Sequence, residues 1–229
     1  VKMKSDGDWQ WLSRAGTTGN DEYVKDIAIG PSDNIYLTGA ANNGASFGSY
    51  TFSSSDGQTD VFVAKLNSGG TWQWVVNAAN LNDNRSDRGE EITVDENGNS
   101  YVVGDYGITG STGNQDNRRM IRMVFDNGTL GWIQTFTGSI NNGHTSISVH
   151  SDTVTYAAHF QDFISFNSLN ISKPNSGGGD IAIISFDASN GSILEGTSAY
   201  DKFDNSSTTG VWFLYLKLRI DDTGNTILT

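Results

Sequence analysis

Residues 59–74 read Thr59-Asp60-Val61-Phe62-Val63-Ala64-Lys65-Leu66-Asn67-Ser68-Gly69-Gly70-Thr71-Trp72-Gln73-Trp74. The run from Asp60 to Leu66 is rich in the β-branched and aromatic residues that suit a strand. Ser68-Gly69-Gly70 supplies the φ freedom of a tight turn, and Trp72-Gln73-Trp74 opens a return strand. The stretch is therefore one hairpin. Its Trp-marked strand recurs: Trp9-Gln10-Trp11 precedes it and a degraded copy, Trp132-Ile133-Gln134, follows, each roughly sixty residues away, which marks an internal repeat.

Between successive copies the same four parts return in the same order, here called strands A to D. Strand A alternates apolar with small or polar residues, as a half-buried strand does: Ile27-Ala28-Ile29, Ile92-Thr93-Val94, Ile147-Ser148-Val149 and Leu218-Arg219-Ile220. Each A strand enters a turn of short polar residues, among them Gly30-Pro31-Ser32-Asp33-Asn34, Asp95-Glu96-Asn97-Gly98-Asn99, His150-Ser151-Asp152 and Asp221-Asp222-Thr223-Gly224-Asn225. Strand B follows at Ile35–Gly39, Tyr101–Gly104, Val154–Ala158 and Thr226–Thr229. A polar loop of variable length leads to strand C, the most apolar part of each unit: Asp60–Leu66, Met120–Phe125 and Asp180–Phe186. Strand D is the Trp strand, reached through Ser68-Gly69-Gly70, Asn127-Gly128 and Asn190-Gly191.

Four antiparallel strands in about sixty residues cannot bury both faces alone, and stacking such sheets around an axis gives a β-propeller. The expected fold is therefore all-β, a propeller of four-stranded antiparallel blades with about four blade equivalents in this chain. The segments Asp26–Gly39, Glu91–Gly104 and Asp60–Trp74 resemble the bacterial β-propeller repeats called SBBP repeats. Their blades run roughly D-x-x-x-x-I-A-V-D-x-x-G-N-x-Y-V-T-G, a variable loop, then D-x-F-V-x-K-L and G-x-x-x-W. The resemblance extends over nearly the whole chain but weakens in the third unit, where His159 takes the place of Gly39 and Gly104 and the Asp-Gly-Asn turn is lost. A fourth unit carries an insertion at Tyr200–Gly210 and lacks Trp-Gln-Trp. The resemblance implies secretion or surface display and no catalytic residues, because the motif consists of turn and packing positions.

Val1–Trp9 aligns with Ala64–Trp72, so residues 1–16 supply strands C and D; units 26–77, 91–137 and 145–199 follow, and 211–229 supply A and B. The chain is expected to be part of a larger propeller; the alternatives are a closed ring of four, with the terminal halves paired into one blade, and an open stack. The start at Val1 suggests a processed, engineered or partly observed product.

Composition limits function. With 229 residues and 36% hydrophobic content the chain can bury a sizeable core. The net charge of −12 argues against a phosphate-binding surface and against anionic membranes. No apolar run is long enough to span a bilayer, and with no cysteine there are no disulfides. Phosphate loops, dinucleotide fingerprints and a G-x-S-x-G elbow are absent.

The remaining candidates all have a scaffold reading beside the chemical one. The Asp95–Asn99 and Asp221–Asn225 turns bring carboxylate and amide oxygens together as calcium loops do, but they are short and read first as Asx-stabilised hairpins. His144, His150 and His159 have the numbers for zinc, yet only His144 and His159 are expected at one rim, with His150 at the other. Arg85, Arg88, Arg118, Arg119 and Arg122, interleaved with Asp87, Glu90, Glu91 and Asp116, read as a solvated face of mixed ion pairs rather than an anion site. Glu90 and Glu91 are adjacent on a strand and point to opposite faces, which disfavours an acid–base pair. Trp9, Trp11, Trp72 and Trp74 recur at one repeat position, which favours packing between blades over sugar stacking. Trp212, Phe213 and Tyr215 lie outside that pattern and are the aromatics individual to their unit.

The leading expectation is a non-enzymatic, extracellular or cell-surface binding or adhesion module with rim loops that recognise a protein or carbohydrate ligand. No catalytic, cofactor-binding or metal residue is assigned, calcium is the one cation the turns could hold, and further blades of the same polypeptide are the expected neighbours. The alternatives are a polysaccharide-acting hydrolase or lyase using carboxylates from different blades, and a purely structural spacer.

Overall fold

The computed structural model describes residues 1–19, 22–54, 58–79, 86–108, 118–172, 179–198, 217–220 and 226–228; the side chains of 107–108, 141–144, 219–220 and 226–228 stand outside the description. The architecture is all-β, with one short 3-10 turn among the described residues, at Pro31–Asp33.

The first repeat unit forms one four-stranded antiparallel sheet from β4 (Tyr23–Ile29), β5 (Ile35–Ala41), β8 (Asp60–Leu66) and β9 (Trp72–Asn77), in the order A-B-C-D. Before it, β1 (Lys2–Met3) and β2 (Trp9–Trp11) make a C–D hairpin, and β3 (Ala15–Gly16) pairs with β6 (Ser46–Phe47), which pairs with β7 (Tyr50–Thr51). The second unit comprises β10 (Ser86–Val94), β11 (Ser100–Ile108), β12 (Arg118–Val124) and the first part of β13 (Leu130–His150).

β13 is longer than the repeat predicts. It pairs with β12 through Leu130–Thr137 and with β14 (Thr153–Ser165) through Thr137–His150, so strand D of the second unit runs directly into strand A of the third. β15 (Asn170–Ser172), β16 (Asp180–Asp187) and β17 (Ile193–Ser198) complete the third unit. β18 (Leu218–Ile220) and β19 (Thr226–Leu228) form a final A–B hairpin.

Three apolar clusters hold these sheets. Tyr36, Val61 and Val63 of the first sheet meet Ile92, Val102 and Met120 of the second. Tyr101, Ile121 and Met123 of the second meet Ile147, Tyr156, Ile184 and Phe186 of the third. Alternate residues of each central strand thus serve opposite interfaces, as a period of two requires. The third cluster lies on the other face of the first sheet, where Phe47 and Phe52 bury Phe62 and Ala64. The loop that leaves strand B, polar by composition, therefore carries two phenylalanines into a core.

Candidate functional site

The groups with the most chemical potential lie where sheet meets sheet, and the glycine of each C–D turn sets the register there. Gly7, Gly70, Gly128 and Gly191 occupy equivalent positions, their amides donating to the carbonyls of Lys4, Asn67, Phe125 and Asp187. All four have positive φ, between +74° and +92°, which L side chains adopt at a cost. The fourth residue beyond the first three glycines is Trp11, Trp74 or Trp132. Each of these indoles reaches the next sheet and donates to the carbonyl of the second residue in its C–D turn: Trp11 to Ser68 at 3.0 Å, Trp74 to Asp126 at 2.9 Å and Trp132 to Ala188 at 2.8 Å. The ring lies against the turn glycine, and a Cβ on Gly191 would come within 2.5 Å of Trp132.

This geometry corrects two sequence alignments. Trp132 is equivalent to the second tryptophan of Trp-Gln-Trp, not the first, because distance from the turn glycine decides which residue overhangs the next turn; Leu130 stands at the first position. Ala158, not His159, stands where Gly39 and Gly104 stand, since these three pair with Ala182, Phe62 and Met120. A Cβ on Gly104 would meet the Arg88 carbonyl at 2.5 Å, because strand A bulges there. In the third unit the register break lies between Ile140 and Thr145, and alanine fits.

The tryptophans divide by position. Trp11, Trp74 and Trp132 pack between sheets, Trp72 donates to the Arg14 carbonyl at 3.0 Å and sits edge-on to Phe47, and Trp9 is exposed. Trp212, Phe213 and Tyr215 lie outside the described residues.

Strand A carries a second repeating joint. The residue before Ile27, Ile92 and Ile147 accepts a hydrogen bond from strand A of the following sheet: Ile92 N–H to Asp26 Oδ2 at 2.9 Å, Ile147 N–H to Glu91 Oε2 at 3.2 Å, and Leu218 N–H to Ser146 Oγ at 3.0 Å. Glu91 also takes an ion pair from Lys217 at 3.1 Å. Burial raises its pKa, Lys217 and Ser146 oppose that, and nearby Asp26 adds to it. Glu90 pairs instead with Lys25 and Arg88, so the two glutamates serve different contacts.

The arginines correct the expectation of a solvated face. Arg119 is 1% exposed and ion-paired with buried Asp105, whose other oxygen accepts from Arg88 Nη2 at 2.8 Å. Burial works to lower the Arg88 pKa, but Asp105 and Glu90 outweigh it and the net shift is upward. Arg122, also buried, donates to the carbonyls of Ala78, Ala79 and Gly131; burial lowers its pKa. Three of the five arginines, Arg88 on strand A and Arg119 and Arg122 on strand C, thus have carboxylate or carbonyl partners inside the fold. Arg118 is half-buried at the start of β12, while Arg85 and Asp116 lie outside the described residues.

Tyr36 Oη donates to Asp126 Oδ1 at 2.6 Å, and Lys65 ion-pairs with the same carboxylate across the first interface. Burial tends to raise the Asp126 pKa, but the hydrogen bonds from Lys65 and Tyr36 outweigh it and the net shift is downward.

The turn oxygens that resemble a calcium loop are satisfied locally. Asp95 Oδ1 accepts from the amides of Asn97 and Asn99 at 2.9 and 2.8 Å, and Oδ2 from Asn99 Nδ2 and Tyr101 Oη at 2.9 and 3.0 Å. This is an Asx-stabilised hairpin with Gly98 at φ +84°. The Asp221–Asn225 turn lies outside the described residues. His150 is exposed at its turn, His159 is buried on β14 with Gly179 tight against its ring, and the His144 side chain lies outside the description. Among the described residues no three His, Cys, Asp or Glu side chains converge, and no helix is long and apolar enough to cross a membrane.

No protein-family model and no curated protein sequence matches the chain.

Proposed function

We propose that the stacked sheets are blades of a β-propeller of the SBBP-repeat kind, secreted or displayed at the cell surface, and that the protein works as a non-enzymatic binding or adhesion module for a protein or carbohydrate. One observation supports this reading above others: the residues that repeat are spent on joining sheet to sheet. The tryptophan on the turn glycine and the strand A hydrogen bond are scaffold devices of this kind. What differs between units is the connection after strand B. In the first unit it folds back as β6 and β7; in the second it is the Gly- and Asn-rich segment 109–117, and in the third it includes 173–178. A rigid scaffold with variable loops is the usual basis of recognition.

The test is a glycan array and a pull-down from secreted and surface fractions, using wild type and variants with 109–117 or 173–178 scrambled. Loss of a captured ligand in a scrambled variant with an unchanged melting curve is expected. Capture that survives both scrambles removes the loops from recognition.

A further inference from the structure

Trp74 on Gly128 and Trp132 on Gly191 make the same contact, and the strand A hydrogen bond recurs beside each. Contacts that recur cannot tell one sheet from another. The order in which sheets stack is therefore set by residues that do not repeat, and the strand register shows where they stand. Ala40 lies opposite Val61, Asp105 opposite Arg119 and His159 opposite Ile181, at matching positions of strands B and C in the three sheets. In the first two sheets, alternation puts them on the face of Tyr36 and Val63 and of Tyr101 and Ile121, which meets the following sheet. From that following sheet, Val102 and Tyr156 hold matching places on strand B, opposite Ile92 and Ile147. The joint between the first and second sheets thus has Ala40, Val61 and Val102 where the joint between the second and third has Asp105, Arg119 and Tyr156. All six are buried. The Tyr156 hydroxyl makes no hydrogen bond among the described residues. Burial pushes its pKa up, Arg119 opposes that, and Asp105 and Glu91 add to it, so the ion pair acts on the hydroxyl across the joint.

We propose that Asp105, Arg119 and Tyr156 determine sheet order: they admit the third sheet onto the second and exclude it from the first. The polar joint is not there for stability. A buried ion pair is often no more stabilising than well-packed apolar side chains of similar volume, and a buried hydroxyl without a partner is a further cost. The first joint shows that apolar side chains serve at the same positions. What the polar set supplies is discrimination. Placed against Ala40 and Val61, the Tyr156 hydroxyl would face two apolar side chains in place of an ion pair. Placed against Val102 of another copy, the Asp105–Arg119 pair would face an apolar side chain in place of a hydroxyl. Each exchange buries polar groups in poorer surroundings, which is how wrong partners are rejected. Sheets of near-identical plan otherwise mispair, within one chain or between copies. This selection operates among the three described sheets and is independent of any ligand at the rim loops.

The test compares the wild type with two triple variants. Asp105→Leu/Arg119→Met/Tyr156→Phe makes the second joint apolar at similar volume, and Asp105→Ala/Arg119→Val/Tyr156→Val copies the first joint. In urea titrations at low protein concentration, the volume-matched variant should have a midpoint no lower than that of the wild type. Diluted from urea, it should recover a smaller share of its native near-ultraviolet circular dichroism signal than the wild type does, and the shortfall should grow with protein concentration. Its two-dimensional amide NMR spectrum should show more than one signal for residues of β11 to β14, where the wild type shows one. The second variant should lose recovery in the same way, and it carries the comparison should the larger side chains of the first prevent folding. Three results overturn the proposal. One is a variant that folds and returns from urea to a single form in wild-type yield. Another is a midpoint lowered in both variants as far as in Arg119→Ala, which would make the pair a source of stability. The third is a wild type that itself returns as a mixture.

Discussion

The contact between Trp132 and Gly191 can be tested by a double-mutant cycle that separates backbone strain from steric contact. Trp132 is half-buried, donates to the Ala188 carbonyl at 2.8 Å, and stacks near Phe186 with ring centroids 6.4 Å apart. Truncating a buried tryptophan costs about 3–5 kcal/mol; partial exposure puts Trp132→Ala at the lower end, about 3 kcal/mol, of which the hydrogen bond contributes ~1 kcal/mol. Gly191→Ala meets two separate penalties. Its φ of +74° costs an L residue about 1–2 kcal/mol. The new methyl, 2.5 Å from the indole, adds about 1–2 kcal/mol of overpacking. In the Trp132→Ala background only the φ penalty remains. The two substitutions should therefore be less than additive by about 1–2 kcal/mol. Urea unfolding followed by far-ultraviolet circular dichroism measures this without relying on tryptophan emission, provided the slope m is unchanged. Additivity within about 0.5 kcal/mol would mean that the indole does not lie on the turn.

Three further outcomes concern carboxylates at a joint, within a sheet and in a turn. Glu91 has a raised pKa, so between its ordinary value of 4.5 and the folded one the native state holds more protons than the unfolded state, and stability falls as pH rises through that window. Glu91→Gln should flatten that part of the melting-temperature profile, and an unchanged profile would show that Glu91 is not the group responsible. Arg119→Ala leaves Asp105 with only part of its compensation and should destabilise by about 3 kcal/mol, while Arg119→Met with Asp105→Leu should recover most of the loss; equal losses in denaturant titration would argue against a buried pair. Asp95→Ala removes the acceptor of two turn amides and should cost about 1 kcal/mol, whereas millimolar calcium should leave the wild-type melting temperature unchanged; a calcium-dependent rise abolished by Asp95→Ala would make the turn a cation site.

Strand order and the A-B-C-D unit were legible because period-two alternation and glycine turns are local signals. The Asp95 hairpin was legible for the same reason, since its acceptors and donors lie within seven residues of chain. The joints between sheets were only half legible. That tryptophans pack between units followed from their recurrence, but which one does so depends on distance from the turn glycine, and matching the letters Trp-x-x misplaced Trp132. Arg119 and Arg122 look like surface residues by charge and cluster with others of both signs, yet alternation on strand C carries them inward, where partners come from another strand, Asp105, or another sheet, Ala78. Such partners leave no trace at short range. Phe47 and Phe52 were hidden by the polar loop around them, although two phenylalanines in a Gly- and Ser-rich connection are a signal that it folds back on a core.

The joints weaken along the chain in a way that bears on its last hairpin. Toward the second sheet the first presents Tyr36, Lys65 and Trp74; toward the third the second presents Tyr101, Met123 and Trp132. At the matching positions the third sheet offers Thr155, Ser185 and Glu195, so the fourth residue beyond Gly191 is a carboxylate that cannot donate to a turn carbonyl. Among the described residues, the contacts of the hairpin after the third sheet are Leu218, whose amide donates to Ser146, and the Lys217–Glu91 pair, in place of an indole on the turn glycine. A partly exposed ion pair contributes ~1 kcal/mol or less, and an aromatic joint several times that.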